Sequence, residues 1–215
     1  MLTVKSFFME MMEENTYLLH DETKQAVLID CGVLHPQEKQ AITDYVTAHQ
    51  LQITQAWQTH GHFDHIFGCQ WAYETFGVSP ILHPADEHRY LHAGEELQLF
   101  LHQRVEIPVP SLAAYLADGQ MLSFGNHDFE VIATPGHTPG GVCFYCASEK
   151  VLITGDSLFE GSIGRCDLPE GDMDTLIQSL QTRVMTLPDD VRIYPGHGRS
   201  STIGHERTSN PYLIS

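Results

Sequence analysis

Thr59-His60-Gly61-His62-Phe63-Asp64-His65 places three imidazoles and one carboxylate within six residues, directly after the apolar-patterned run Ile53 to Trp57. In extended backbone residues two apart share a face, so His60, His62 and Asp64 are expected to converge, with His65 turned to another side. Neutral imidazole and carboxylate are the usual ligands of zinc and iron. With 14 His in the chain, a His-rich surface loop is the competing reading. The ligand spacing argues against it, because the donors are dense and matching turns lie downstream.

Those turns are Pro135-Gly136-His137, Gly155-Asp156 and Pro195-Gly196-His197. Each follows a short apolar, β-branched run: Phe129 to Ala133, Val151 to Thr154 and Val191 to Tyr194. A glycine where a strand ends lets the backbone turn sharply and leaves a ligand at the strand's carboxyl end. Four strands ending this way would deliver ligands to one rim of a sheet, where α/β proteins commonly bind ligands.

The order His60-x-His62-x-Asp64-His65, then His137, Asp156 and His197, resembles the full metal-binding set of the metallo-β-lactamase superfamily. Through Gly155 to Phe159, Gly161 to Arg165 and Ser201 to Arg207, the chain is similar to the short bacterial glyoxalase II-like (hydroxyacylglutathione hydrolase-like) thioester hydrolases. The resemblance implies an α/β fold, a four-layer αββα sandwich, over residues 1–215 as a single domain. It implies that His60, His62 and His137 hold one metal and that Asp64, His65 and His197 hold a second. Asp156 would bridge them, and Asp64 and Asp156 would be catalytic as well as metal-binding. The cofactor expected is two divalent ions, zinc first, with iron or manganese as alternatives.

Two cations roughly 3.5–4 Å apart can share a water and stabilise charge at both ends of a displacement. A zinc-bound water has a pKa of about 7, against about 15.7 in bulk, so hydroxide is available at neutral pH to attack a thioester carbonyl. The metals would then offset charge on the oxyanion. A thiol of pKa about 8.5 leaves without a strong general acid, whereas an amine needs a proton donor. With Asp64 and Asp156 both used as ligands, no spare acid stands in the motifs, which favours thioesters over amides. Secreted β-lactamases of the superfamily often carry Cys where Asp156 stands, which also argues against lactams. A mononuclear Fe(II) persulfide dioxygenase is the closest rival, resembling the chain in the same motifs and needing only His60, His137 and Asp156 as a facial triad. A non-catalytic metal-binding module is the third reading; intact ligands at every position argue against it.

Composition narrows the class further. Against 28 Asp and Glu stand 11 Lys and Arg, a net charge of −17 over 215 residues. A field of that sign repels polyanions, so no nucleic-acid partner is expected. Apolar content of 42% with 18% charged residues describes a globular chain with a sizeable core. Glu10, Glu13 and Glu14 interrupt the apolar start, and no run reaches the roughly 20 apolar residues of a membrane span, so neither an export signal nor a membrane partner is expected. Five cysteines without a disulfide-scaffold pattern fit a reducing, cytoplasmic setting. The expected partner is a small thioester. Because little follows His197, the helical region with which larger relatives grip glutathione is expected to be absent or reduced, leaving the thiol carrier, like the oligomeric state, open.

Several smaller features carry two readings each. Arg165 could bind a substrate carboxylate or pair with Asp167, Glu170 or Asp172. Asp30 resembles a family residue that braces the metal loop, or it simply makes the turn Asp30-Cys31-Gly32, where relatives often carry Pro at the Cys31 position. Cys143-x-x-Cys146 is read as buried thiols rather than a metal or redox pair, and His88 with His92 as a solvated helix face. Tyr194 and Phe159 are assigned to the core. Helices are expected over Pro36 to His49, His65 to Phe76, Asp86 to Arg104 and Asp174 to Leu187, with a short one after Thr202. Strands are expected near residues 2–9, 16–19, 26–30, 80–83, 121–124 and 141–146, besides those already named, with an extended connector at Ile107 to Pro110.

Overall fold

The computed structural model describes residues 1–102 and 105–214. Two six-stranded sheets face each other. The first runs in sequence order: β1 (Thr3–Phe8), β2 (Asn15–His20), β3 (Gln25–Ile29), β4 (Gln52–Trp57), β5 (Pro80–Leu82) and β6 (Ala114–Tyr115). The second is built from β7 (Met121–Phe124), β8 (His127–Ala133), β9 (Val142–Cys146), β10 (Val151–Gly155), β13 (Arg192–Pro195) and β14 (Ser201–Thr202), in the order β14-β13-β10-β9-β8-β7. Between β10 and β13 the chain makes a small hairpin, β11 (Leu158–Phe159) with β12 (Ser162–Ile163).

The layering follows from side-chain alternation. Along β3, Val27 and Ile29 point into a core between the sheets while Ala26 and Leu28 point into a second core under the helices. Both faces are covered, which is why the run is continuously apolar. Helix α1 (Pro36–His49) lays Ile42 on the outer face of the first sheet, beside α2 (Phe63–Ile66), α3 (Cys69–Phe76), α4 (Glu87–Leu91) and α5 (Ala93–Leu101). On the second sheet, Leu152 and Ile193 pack against α6 (Met173–Ser179), the π-helical turn Leu180–Val184 that continues it, and α7 (Ile203–Ser209). The result is the expected four-layer αββα sandwich. Cys143 and Cys146 fall on opposite faces of β9, in different cores, as i and i+3 on a strand must.

Trp57 closes the inter-sheet core at the end of β4. It is fully buried, with Phe144, Phe129 and Phe124 rings 5.2, 5.5 and 6.0 Å away. Trp57→Ala is expected to lower unfolding stability by about 3–5 kcal/mol in chemical denaturation; a loss below about 1 kcal/mol would contradict this packing.

Three helical expectations need correction. The second helix starts at Phe63 rather than His65 and breaks before α3, because the Gly68 N–H turns away to the Cys31 carbonyl at 2.8 Å. The helix expected over Asp86 to Arg104 is two helices, interrupted at His92, where φ is −117°. Its expected last two residues, 103 and 104, lie outside the described residues. The helix expected over Asp174 to Leu187 gives way to π geometry from Leu180. His88 and His92 stack face to face at 4.2 Å on an exposed surface, as their reading required.

Candidate metal centre

Four strands end at one rim: β4 leads to His60, β8 to His137, β10 to Asp156 and β13 to His197. Past Trp57 the backbone is pinned by Asp30, whose carboxylate accepts from the Thr59 N–H and hydroxyl, each at 2.7 Å. Asp30 sits in the left-handed region at φ 50°, a conformation Asp tolerates better than most residues. Its Oδ2 also lies 3.1 Å from His65 Nδ1. Asp30 is therefore the brace of this loop and not merely a turn former.

The outer nitrogens of three imidazoles meet oxygen. His60 Nδ1 lies 3.0 Å from the Thr59 hydroxyl, which already donates to Asp30 and so accepts here. His137 Nδ1 lies 2.7 Å from the Arg165 carbonyl, and His65 Nδ1 faces Asp30. Each contact places the ring proton on Nδ1 and leaves the Nε2 lone pair facing a common space, the arrangement a metal requires of imidazole. His60 Nε2 and Asp156 Oδ1 are buried there with no hydrogen-bond partner. Such orphaned donors fit a cation.

Two triplets have ligand atoms close enough to share an ion: His60, His62 and His137, and Asp64, His65 and His197, each within 4.8 Å. Asp156 touches both, with Oδ1 3.3 Å from His65 Nε2, and Oδ2 3.6 Å from His137 Nε2 and 3.4 Å from His197 Nε2. A further grouping, Asp30 with His60 and His65, fits a metal poorly because Thr59 and His65 already occupy both Asp30 oxygens. The extended reading of the heptad holds only as far as His62. From Phe63 the chain is helical, which carries Asp64 away from His60 and His62 and sets it beside His65, opposite His197.

Residues that the sequence did not single out hold these loops. Buried Asp86 accepts from the Gly61 N–H (2.9 Å), the Thr138 hydroxyl (2.7 Å) and the Gly140 N–H (2.7 Å), clipping the His60–His62 loop to the His137 loop. Asn15 and Tyr17 hold the His197 turn: the Asn15 amide donates to the Pro195 and Gly198 carbonyls at 3.1 Å, and Tyr17 to Pro195 at 2.7 Å. No spacing marks these residues, since their partners lie far away in the chain. Glycine is required at 196 because a Cβ there would collide with Asp156 Oδ1 and His65 Cε1.

Charge balances internally. Burial pushes the His60 and His62 imidazoles well below their ordinary range, and neighbouring imidazoles add to it. Burial works the same way on His65 and His197, but Asp156 and then Asp64 outweigh it, raising His65 well above its ordinary value and His197 to about 10. Burial would raise Asp156; facing His65 and His197 instead holds it well below the carboxylate range. Without metal, protons supply the positive charge. His197 thus adds stability that is fully present below its unfolded value of about 6.5 and is lost as pH rises toward 10, while the Asp156 contribution persists above about 3.8 and fades only in strong acid. The metal-stripped protein is expected to lose melting temperature steadily from pH 7 to pH 10. A flat profile would contradict the pairing.

The ligand atoms floor a cavity of about 360 Å³, walled by Met12, Phe63, Phe159, Ile163 and Leu168. Phe159, assigned to the core from sequence, instead lines this cavity, its ring 6.2 Å from His197; Tyr194 does pack inside, edge-on to Tyr17 at 5.9 Å. Arg165 also lines the cavity, but its guanidinium is held by Asp167 through two bonds of 2.7 and 2.8 Å, which lowers the Asp167 carboxyl to about 2. Of the pairing partners considered from sequence, Asp167 is the one engaged. The α7 end supports the pocket hairpin from behind: Glu206 accepts from the Gly161 N–H at 2.9 Å, and Asn210 donates to the Ser162 carbonyl at 3.0 Å.

Sheets, layers and donor rim together define a metallo-β-lactamase fold, and the comparisons agree. Residues 12–197 match the family model described as the metallo-beta-lactamase superfamily, and the chain belongs to that superfamily of metal-dependent hydrolases. It is 35% identical over 209 residues, 94% of each chain, to the hydroxyacylglutathione hydrolase GloC of Haemophilus influenzae. Among solved structures it is similar to the BLEG-1 B3 metallo-beta-lactamase (TM-score 0.90, 31% identity, covering 99% of this chain and 100% of that one). It is also similar to TTHA1623 in a di-iron-bound form (TM-score 0.86, 33% identity, 98% and 100% covered). Among the described residues no helix is long and apolar enough to cross a membrane.

Proposed function

We propose that the protein is a dinuclear glyoxalase II-like thioesterase acting on a hydroxyacylglutathione-type thioester. The observation that carries this reading is Asp156, which sits between two complete three-residue donor sets and contacts both. In this reading His60, His62 and His137 hold one ion, and Asp64, His65 and His197 the other. Divalent cations in such a pair, zinc first, supply an acidified water and charge that offsets an oxyanion. The remaining work falls to the chain. Met12, Phe159, Ile163 and Leu168 exclude water around the scissile carbonyl, and Asp30, Thr59 and the Arg165 carbonyl keep the imidazoles in the tautomers that bind metal.

At about 360 Å³ the cavity is near the lower end of ligand pockets, so it suits the acyl portion while the thiol carrier lies across the open mouth. The relation to GloC supports the hydroxyacylglutathione assignment, and the di-iron form of TTHA1623 supports a count of two metals while leaving iron as the alternative to zinc. The resemblance to BLEG-1 makes a β-lactam the necessary comparison substrate. The persulfide dioxygenase reading requires only His60, His137 and Asp156, and it gives the second donor set no task.

The test is a side-by-side assay of lactoylglutathione hydrolysis, β-lactam opening and oxygen uptake with glutathione persulfide. Thioester cleavage that chelation abolishes and zinc restores is the expected result. Oxygen uptake with one iron per chain and no thioester cleavage would overturn the proposal, as would lactam opening alone.

A further inference from the structure

His62 differs from the other imidazoles in what stands behind it. Its Nε2 is buried without a hydrogen-bond partner, and Glu96 Oε1, from α5, lies 3.3 Å away. That same oxygen accepts from Arg89 Nη1 at 2.7 Å. The second terminal nitrogen is committed as well: Nη2 donates to the Pro169 carbonyl and to Glu170 Oε2, each at 3.0 Å, while the buried Nε has no partner. The Arg89 and Glu96 side chains are only 9% and 10% exposed, so this is no solvated surface pair. Pro169 and Glu170 directly follow Leu168, which walls the cavity. On the inner side of the ring, His62 Nδ1 lies 2.8 Å from His137 Nε2.

We propose that Glu96, held in place by Arg89, is the positioning residue for His62: it accepts the ring proton on Nε2 and so leaves the Nδ1 lone pair aimed at the space shared with His60 and His137. The inference rests on the dinuclear reading. A neutral imidazole carries one proton, and the acceptor on its outer side decides which nitrogen is left to bind metal. The Thr59 hydroxyl does this for His60 and the Arg165 carbonyl for His137, both through Nδ1. His62 is turned the other way, and the acceptor that its orientation needs is Glu96. Of the three outer partners, Glu96 is the carboxylate. Through Arg89 its position is also tied to the segment that carries Leu168.

Metal-stripped wild-type protein, Glu96→Gln, Glu96→Asp and the exposed control Glu95→Gln are titrated with zinc against a chromophoric chelator, and with cobalt followed by its visible absorption. One of the two binding events is expected to weaken about 10–100-fold in both Glu96 variants. The other event, and both events in Glu95→Gln, should stay at wild-type affinity. Gln keeps the shape without the charge and Asp keeps the charge without the reach, while circular dichroism reports the metal-free fold. Wild-type affinity at both positions in either Glu96 variant would overturn the inference. So would equal weakening of both events, or unfolding of both metal-free variants, because each marks a structural role. A wild-type protein that takes up no metal would instead sink the dinuclear reading.

Discussion

Asp156→Ala is expected to cut thioester turnover by about a thousandfold or more, beyond the loss of a single oxyanion-stabilising donor. Metal content should fall from two ions per chain to one or none. The reason is positional: Asp156 faces His65, His137 and His197 at once, so its removal subtracts a ligand from both donor sets. Without metal, the same change leaves buried His65 and half-buried His197 near Asp64 but without their main counter-charge. Breaking a buried pair from one side costs about 3–5 kcal/mol. The metal-stripped variant should therefore melt lower than stripped wild type at pH 7 and lose the alkaline slope that His197 produces. Elemental analysis, turnover and melting curves read the three effects separately. Wild-type turnover with two bound metals would remove the bridging role.

Asp86→Ala should be nearly as damaging although Asp86 offers nothing to a metal. It strands the Gly61 and Gly140 amides and the Thr138 hydroxyl, each buried donor costing about 1–3 kcal/mol when left unsatisfied. A stability loss of about 3 kcal/mol or more is expected in denaturation of the stripped protein. Because the clip joins the loops bearing His60, His62 and His137, zinc affinity at that position should also fall about 10–100-fold. Asn at 86 keeps one acceptor but points an N–H at other donors, so it should fall between Ala and wild type. A loss within about 0.5 kcal/mol, the ordinary range for surface changes, would show that the clip does not hold the loops.

These two aspartates divide what the sequence makes legible from what it hides. Asp156 is visible because it ends an apolar run beside a glycine, and three other strands end in the same way on one rim. The layering is visible for a related reason: runs such as Ala26 to Ile29 are apolar on both faces, and in the structure both faces are covered. Helix α1 is announced by Pro36 at its start and is fastened by Glu38, which accepts from the His35 N–H at 2.7 Å. The Asp86 carboxylate accepts from residues 25 to 54 positions away, so no local pattern reveals its role. Asn15 and Tyr17 reach some 180 residues along the chain. The break at Gly68 is likewise set by a tertiary contact, its N–H donating to the Cys31 carbonyl, which overrides local periodicity. The two-residue strands β6, β11, β12 and β14 are too short for alternation to register at all.

Seven side chains are expected to close around two divalent cations in one pocket. An anomalous-scattering map from crystals of the zinc-loaded protein tests it most directly. Two peaks roughly 3.5–4 Å apart are expected, one against His60, His62 and His137 and the other against Asp64, His65 and His197, with Asp156 between them. One peak alone, or peaks away from these residues, would contradict it.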